Sequence, residues 1–599
     1  MANTLLDLFE KNHQLLEWRD KVTLLSRQLV MGFSGSSKAV VMASALSEQV
    51  PKILIVTSTQ NEAEQLTGDL SAILGEDKVY SFFADDVVAA EFIFASPEKT
   101  HSRLESLNFL IDKESSGILV TSLVGTKLHS PNPEVYKDSR IDLTLGEEHD
   151  LEALSKHLTH IGYQRVEQVL SPGEFSRRGD ILDIYELTAE LPYRLEFFGD
   201  EIDGIRQFDS DSQKSLDNLE HIIVSPADDI ILTREDYQRA EKALESAVSK
   251  AEGPHKAYLE EVLSVTIDGY RHKDLRKFLS LFYDKAYTLF DYLPKGTPVF
   301  IDDFQKIVDR HGRLELEVAN LLTEDLHQGK SLSHLNYLVD SFKTLRNYQP
   351  ASFFSNFHKG LGNLKFDKLY QFTQYPMQEF FNQFPLLVDE IHRYTKNKAT
   401  VILQVGSEKQ LKSLKETLEE YDLDLPLSSF GDLIPHKPQL VLGNLSNGFY
   451  FADEKLVLVT EREIFHKKVK RRARASHVSN AERLKDYNEL EKGDYVVHQT
   501  HGIGQFKGIE TIEIKGVHRD YLTIQYQDAA TISLPVEQIE SLSKYVSADG
   551  KEPKINKLND GRFQKTKQKV QTQVEDIADD LIKLYAERSQ LEGFAYSSD

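Results

Sequence analysis

Apolar residues in the first half of the chain form short continuous runs, separated by longer segments with helical spacing. Continuous runs of this kind are typical of strands that are buried on both faces of a sheet. They occur at 29–31, 52–56, 117–122 and 298–303, and helical spacing occurs at 61–74 and 234–263. Strands that alternate with helices usually pair in parallel. We therefore predict an α/β domain with a parallel sheet, interrupted by an insertion.

The same reasoning predicts a second, small α/β domain further along the chain. Its strands are expected at 399–405, 439–443 and 455–460, with an amphipathic helix at 408–420.

Short, closely spaced strand segments then predict a small β-barrel of the SH3 or Tudor type. These segments are 495–498, 503–507, 508–514, 521–526 and 531–534. From 564 to 591, apolar residues recur every three or four positions, which predicts one long C-terminal helix. The predicted fold class is thus multidomain α/β, with an inserted α+β domain, a small β-barrel and a long helix.

Charge and composition narrow the possible roles. The 599 residues carry a formal net charge of −24, so contacts to nucleic acid are expected to be local. The chain has no cysteine, which excludes disulfides and thiolate metal sites and fits a reducing cytoplasm. His498 and His501 have no third ligand at a suitable spacing, so no metal site is predicted. With no signal-peptide pattern and no apolar run that could span a membrane, we expect a cytoplasmic protein.

A strand, a glycine-rich turn and a helix follow one another near residue 32, as in a phosphate-binding P-loop. The turn keeps Gly32, Gly35 and Lys38. Ser37 stands where the motif has its second glycine, and Ala39 stands where a hydroxyl would hold Mg²⁺. Because Ala39 cannot bind a metal, we predict a nucleotide site in outline only.

The second half of such a site would follow the strand at 298–303. A nucleotide-driven motor places carboxylates there to hold Mg²⁺. Asp302 and Asp303 occupy this position. An active but divergent ATPase is the alternative, and Ala39 is the main argument against it.

A compact antiparallel β unit is predicted at 173–203, where strand-forming residues alternate with Gly and Pro turns. Arg177 and Arg178 are adjacent at one end of a strand. Such a pair is often a solvated strand end, but arginine is also favoured at protein interfaces. Both interpretations stay open from the residues alone.

The β unit, together with 162–169, resembles domain 2 of the nucleotide-excision repair protein UvrB. It is more similar still to the UvrB-like module of the bacterial transcription-repair coupling factor (Mfd) family, whose module contacts UvrA. The resemblance implies this role for Arg165 and Arg178, which match basic positions of the UvrB surface. Arg177 and Tyr185 complete the candidate surface.

The segment from 487 to 550 resembles the RNA polymerase-interacting domain of the same family, including Gly502-Ile503-Gly504 and Asp520-Tyr521-Leu522. In that family an edge strand of the barrel docks on the polymerase β subunit. The motif position implies that this strand contains Thr511, Ile512, Glu513 and Ile514, with Ile512 as the apolar anchor or, alternatively, as a core residue.

The resemblance covers essentially the whole chain. It implies that the chain is the N-terminal portion of such a factor and ends before the translocase motor. A complete family member is an ATP- and Mg²⁺-dependent double-stranded DNA translocase that displaces stalled RNA polymerase. This portion is expected to be non-catalytic, without a cofactor, and to recruit UvrA for transcription-coupled repair. The alternative is a UvrB-type, DNA-damage-binding ATPase, although the ten or so residues after Asp86 are too few for the DNA-clamping hairpin of UvrB.

One basic segment, 466–474, is either a solvated linker or a local contact to DNA phosphates. With it, the predicted organisation has eight parts. They are the first domain (1–138 and 226–346) with its inserted UvrA-binding domain (139–225), a linker (347–365), the small α/β domain (366–465), a basic linker (466–486), the polymerase-binding barrel (487–550) and the start of the helix that leads to the motor (560–599).

Overall fold

A computed structural model provides the three-dimensional structure of the chain. It describes residues 5–7, 12–93, 97–210, 212–355, 361, 363–466, 481–483, 493–498, 502–514, 517–526, 531–535 and 542–545. The chain forms two compact units, 1–473 and 474–599.

The first unit contains 21 described strands. They are β1 Arg27–Met31, β2 Lys52–Thr57, β3 Val79–Phe82, β4 Gly117–Ser122, β5 Ile141–Thr144, β6 Gln164–Arg165, β7 Glu174–Arg178, β8 Ile181–Ile184, β9 Tyr193–Phe198, β10 Glu201–Phe208, β11 Ser215–Leu219, β12 His221–Val224, β13 Val299–Asp302, β14 Ala351–Ser355, β15 Lys368–Gln371, β16 Gln374–Pro376, β17 Thr400–Val405, β18 Leu427–Ser428, β19 Pro438–Leu442, β20 Phe449–Phe451 and β21 Leu456–Val459.

Described α-helices lie between these strands. They are α1 His13–Lys21, α2 Ser36–Ala43, α3 Gln60–Leu74, α4 Val88–Ile93, α5 Pro97–Ile111, α6 Pro133–Asp138, α7 Leu151–His160, α8 Arg234–Val248, α9 Gly253–Ile267, α10 Leu275–Phe282, α11 Phe304–His327, α12 Phe342–Asn347, α13 Phe384–Lys396, α14 Glu408–Glu419 and α15 Glu461–Phe465. None of these described helices is long and apolar enough to cross a membrane.

The first domain is built on a seven-stranded parallel sheet in the order β15-β1-β14-β13-β2-β4-β3. This confirms the predicted parallel sheet. The predicted linker 347–365 is wrong in part, because Ala351–Ser355 is a central strand between β1 and β13. Phe353 and Phe354 alternate across it and are both buried, one in each of the two apolar cores that flank the sheet.

The inserted domain has a six-stranded sheet in the order β11-β10-β9-β8-β7-β6, antiparallel except for the β6–β7 pair. Helix α7 covers one face, where Leu154 and Leu158 pack with Leu182 and Leu195. We call this the inner face, and the opposite face the outer face.

The small α/β domain has the sheet β16-β20-β21-β17-β19-β18. It shares an apolar core with the first domain, in which Val40 and Phe300 cluster with Phe449 and Leu458. Strand β15 reinforces this connection: it belongs to the sheet of the first domain although it lies in the range predicted for the small one. The two domains therefore pack as one body within the first unit.

The second unit contains β22 Ala481–Arg483, β23 Tyr495–His498, β24 Gly502–Ile514, β25 Val517–Gln525, β26 Thr531–Pro535 and β27 Leu542–Tyr545. These strands form one antiparallel sheet in the order β22-β27-β23-β24-β25-β26. The two strands predicted at 503–507 and 508–514 are one strand with an irregularity between Phe506 and Gly508. Closure into an SH3-like barrel stays a prediction, and the predicted helix 564–591 lies outside the described residues.

Candidate functional site

Arg177 and Arg178 point to opposite faces of the inserted sheet. In the β7–β8 hairpin, Arg177 is in register with buried Leu182 of the inner face, and Arg178 is in register with Ile181. The Arg177 guanidinium donates to Glu152 of α7 over 2.7 Å. The exposed Arg178 donates through Nε to the carbonyl of Glu167 over 2.9 Å, which holds its side chain along the loop that follows β6.

Arg165 is exposed on β6, the edge strand beside β7. Its register with Phe175 places it on the inner-face side of the sheet, whereas Arg178 is on the outer-face side. The structure thus brings the two arginines to the same edge, not to the same face. A partner that contacts both has to bind around this edge.

Tyr185 is not available for direct contact, contrary to its place in our candidate surface. Its side chain is 6% exposed and packs with Val169 and Phe208. The hydroxyl donates to the carbonyl of Glu190 over 3.0 Å. Tyr185 therefore supports the loop beneath the arginine edge.

Phe198 was missed by our sequence reasoning. It is 81% exposed at the end of β9, two residues beyond Glu196, which is in register with Ile181. Alternation along the strands then places Phe198, Ile181 and Arg178 on the outer face. The Phe197-Phe198 doublet was the sequence signal that could have identified it. Consecutive residues of a strand face opposite sides, so only one ring of the doublet can enter the core, and in the structure that ring is Phe197.

The P-loop region confirms the predicted order of strand, turn and helix, with β1 leading into α2. Lys38 Nζ lies 2.5 Å from Asp302 Oδ1 at the end of β13. Asp303 caps the start of α11 from the left-handed region, with φ of 53°, and its carboxylate lies 3.8 Å from Lys306 Nζ. Lys38, expected to serve phosphate, and the two aspartates, expected to serve Mg²⁺, are thus paired with opposite charges of the protein itself.

The turn itself is filled by side chains. Ser37 is fully buried, and its hydroxyl oxygen lies 2.7 Å from the Ser34 carbonyl and 2.5 Å from Gln374 Oε1. Gln374 Oε1 also accepts from the Ser34 amide over 3.0 Å. Ala39 is buried in the core below, with no oxygen that could bind Mg²⁺.

A cavity of about 430 Å³ lies beside this turn. Its cationic lining residues are Lys38, Lys306 and Arg462, and its acidic ones are Glu62, Asp69, Asp302, Glu379 and Glu463. Burial disfavours the ionised form of Glu62, but hydrogen bonds from Lys306 and Ser58 outweigh it and lower its pKa. Because acids outnumber cations in the lining, the cavity is unfavourable for a polyphosphate.

Within the described part of the chain, no group of His, Asp and Glu side chains is arranged to hold a metal ion.

The polymerase-docking strand was predicted at 511–514, within β24. Residues Ile509–Ile514 of β24 pair with Val517–Leu522 of β25. On its other side, β24 pairs with β23 through Gly502–Gln505. Among the described residues, the segment 509–514 therefore has a partner strand on one side, and its other backbone edge is open. Of the basic segment 466–474, all residues after His466 lie outside the described residues.

The matches to known protein families fall on the same domains that the structure shows. Three family models match: the UvrB interaction domain at 141–229, the MFD D3 domain at 394–464 and the CarD-like/TRCF RID domain at 490–546. The chain is also 36% identical, over 96% of its length, to the transcription-repair-coupling factor of Bacillus subtilis (strain 168). Over this length, the chain is similar to transcription-repair-coupling factors.

Other transcription-repair-coupling factors show the same similarity. The factor of Staphylococcus haemolyticus (strain JCSC1435) is 32% identical and that of Staphylococcus aureus (strain MRSA252) 31%, each over 95% of this chain. The chain spans about half the length of these relatives, covering 49% and 50% of them, and 50% of the Bacillus subtilis protein. The comparisons thus favour similarity to transcription-repair-coupling factors over the UvrB-type ATPase.

Proposed function

We propose that this chain is the recruitment part of a transcription-repair-coupling factor. It binds stalled RNA polymerase through the open edge of β24 and UvrA through the arginine edge of the inserted domain. The observation that carries the proposal is the exposure of Arg165 and Arg178 on one edge of the domain that matches the UvrB interaction domain.

The arginine edge has the chemistry of a protein-binding hot spot. Arginine and aromatic side chains dominate binding energy at interfaces, and Phe198 lies on the face of Arg178 with its ring exposed. Glu152 satisfies Arg177 within the domain. We therefore assign the UvrA contact to Arg165, Arg178 and Phe198, with Arg177 in a supporting role.

Affinity of the whole chain for UvrA tests this assignment. Arg165→Ala and Arg178→Ala are each expected to weaken binding by about 1–3 kcal/mol. Arg177→Ala is the matched control, because it removes an adjacent arginine whose exposed ion pair contributes little. Unchanged affinity in both test variants contradicts the proposal, and an equal loss in Arg177→Ala contradicts the distinction between Arg177 and the two exposed arginines.

The open edge of β24 could accept an added strand from the polymerase, a binding mode known as β-augmentation. We assign that strand to the polymerase β subunit. An added strand gains backbone hydrogen bonds along the edge, and side chains of alternate residues supply specificity. We assign this role to Thr511–Ile514, with Ile512 as the apolar anchor. Ile512→Arg should abolish polymerase binding while the circular dichroism melt stays unchanged.

A control for this experiment lies on the opposite side of the same sheet. Thr531 is exposed on β26, which ends the strand order. Thr531→Arg adds the same charge to another edge strand and should leave polymerase binding intact. If Ile512→Arg lowers the melting temperature instead, Ile512 is a core residue and the anchor is wrong.

For the complete protein, we propose an ATP-driven double-stranded DNA translocase that displaces stalled polymerase. In this chain, the Lys38–Asp302 pair, Ala39 and the acidic cavity all oppose hydrolysis. We therefore assign ATP and Mg²⁺ chemistry to the part of the family's length that this chain does not span. Contacts to DNA by the basic segment 466–474 remain part of this proposal.

A further inference from the structure

The turn at 32–38 contacts the small α/β domain at several of the positions where a P-loop would meet phosphate, although Ser34 and Gly35 stay exposed. Phe372, in the connection from β15 to β16, donates its amide to the Met31 carbonyl over 3.0 Å. A Cβ atom on Gly32, whose φ is +96°, would lie 2.0 Å from the Phe372 carbonyl oxygen. Gly32 is thus required by the approach of this connection.

Gly35 is constrained in the same way. Its φ is +56°, and a Cβ atom there would lie 3.0 Å from the Cβ of Asn447 in the loop before β20. Both glycines of the turn therefore have a structural reason that involves no phosphate. From the sequence alone, nucleotide binding is the expected reason for these two glycines.

Polar groups at the start of α2 are satisfied by the same loop. Ser36 is fully buried, donates to Asp69 over 2.9 Å and accepts from the Asn447 amide over 2.9 Å. Ser446 donates its amide and its hydroxyl to Asp69 over 2.9 and 2.7 Å. Asp69 thereby joins the first turn of α2 to the 446–447 loop.

Aromatic packing surrounds these hydrogen bonds. The ring of Phe33 lies 4.6 Å from that of Phe372 and 5.6 Å from that of Phe451, measured between centroids. Together with Gln374 on the Ser34 amide, these contacts show that the partners of the turn come from two segments, 372–374 and 446–451.

We propose that the former phosphate-binding loop is now an intramolecular docking site whose ligand is the small α/β domain. Gln374, Ser446 and Asn447 of that domain bind the turn and the start of α2. The loop therefore holds the two domains together permanently and does not respond to nucleotide. This inference does not depend on either proposed partner of the chain.

Hydrogen–deuterium exchange on the whole chain tests the proposal without removing any domain. Gln374→Leu should speed exchange of the amides at 34–38 by about tenfold, because the Ser34 amide and the Ser37 hydroxyl each lose one of their two acceptors. Exchange of β20 should rise with it, since the joint opens as a unit. Gln378→Leu, an exposed glutamine in the same domain, is the matched control and should change neither region.

Millimolar Mg·ATP added to the unmodified chain provides the second measurement. We expect unchanged exchange at 34–38 and an unchanged melting temperature. Protection at 34–38 by Mg·ATP would overturn the proposal, because the loop would then still be a nucleotide site. Equal exchange in Gln374→Leu and the unmodified chain would also overturn it, since the contact would then be incidental.

Discussion

Lys38 Nζ and Asp302 Oδ1 lie 2.5 Å apart, with side chains that are 18% and 11% exposed. A lysine after a glycine-rich turn and an aspartate at the end of another strand of the same parallel sheet would serve a nucleotide and its metal in a motor. Here each neutralises the other. The pair converts two would-be catalytic groups into a partly buried ion pair of the interior.

Lys38→Met should destabilise the first domain by about 1–3 kcal/mol, because Asp302 loses its cation in a largely buried position. Thermal unfolding of the whole chain, followed by circular dichroism, measures this change. The double variant Lys38→Met, Asp302→Leu should regain part of the loss, since no buried charge is then left unpaired. If Lys38→Met alone leaves the melting temperature unchanged, the pair has no structural role.

Gly32→Ala should be more damaging than a change to most other glycines of the chain. The added Cβ would meet a backbone oxygen of Phe372 at 2.0 Å, and the φ of +96° is itself strained for alanine. We expect a loss of more than about 2 kcal/mol. Gly146→Ala is a suitable control, because Gly146 also has a positive φ, of +84°, but no atom within 4 Å of the added Cβ. Similar losses in both variants would show that backbone strain alone is responsible.

The strands of the parallel sheet could be predicted because they are buried on both faces and read as continuous apolar runs. Strand β14 was missed since Pro350 suggested the start of a linker, while the strand itself is only five residues long. Propensity could not place it between β1 and β13, because that position depends on long-range pairing.

Side-chain direction was the main limit for the candidate site. The sequence presents Arg177 and Arg178 as equivalent, and only the register of the hairpin separates the one held by Glu152 from the one on the outer face. The resemblance placed Tyr185 on the candidate surface, but its side chain packs against Val169 of the loop after β6. Such coverage by a loop has no local signal in the sequence.

Arg103 forms a buried ion-pair cluster in the first domain, close to the point where the chain returns from the inserted domain. Its side chain is 2% exposed and donates to Glu91 over 2.5 Å and to Asp229 over 2.9 Å. Asp229, four residues after the inserted domain, is also held by Arg276 at 2.5 Å. Burial disfavours the charged carboxylate, but Arg276 and Arg103 outweigh this and hold the pKa of Asp229 well below its usual range.

Arg103→Met should therefore cost about 3–5 kcal/mol, because it leaves Glu91 buried without its cation. The melting temperature of the whole chain measures the loss. Arg239→Met is the matched control: Arg239 pairs with Asp236 in the same domain, but its side chain is 40% exposed. If Arg103→Met lowers the melting temperature no more than the control does, Glu91 is neutralised by another cation or by protonation.

Glu186 provides a pH-dependent prediction in the inserted domain. It is 3% exposed, and its Oε2 accepts from the amide and hydroxyl of Thr188 over 2.6 and 2.7 Å. Burial raises the pKa of Glu186 despite these hydrogen bonds. Burial also raises the pKa of the neighbouring Tyr193, and the charge of Glu186 adds to this shift.

The sign of the effect follows from linkage. A carboxyl group whose pKa is higher in the folded than in the unfolded state binds its proton more tightly when folded, so folding is penalised as pH rises above the unfolded pKa. Glu186→Gln keeps an oxygen for Thr188 but removes this charge. The variant should match the unmodified chain near roughly pH 4 and be more stable near roughly pH 8, by about 1.4 kcal/mol for each unit of pKa shift. Glu201→Gln, at an exposed position of the same domain, should show no such trend. A constant difference between Glu186→Gln and the unmodified chain across this pH range would mean that the buried carboxyl carries the same proton in both states, and that its burial is compensated by the surrounding hydrogen bonds.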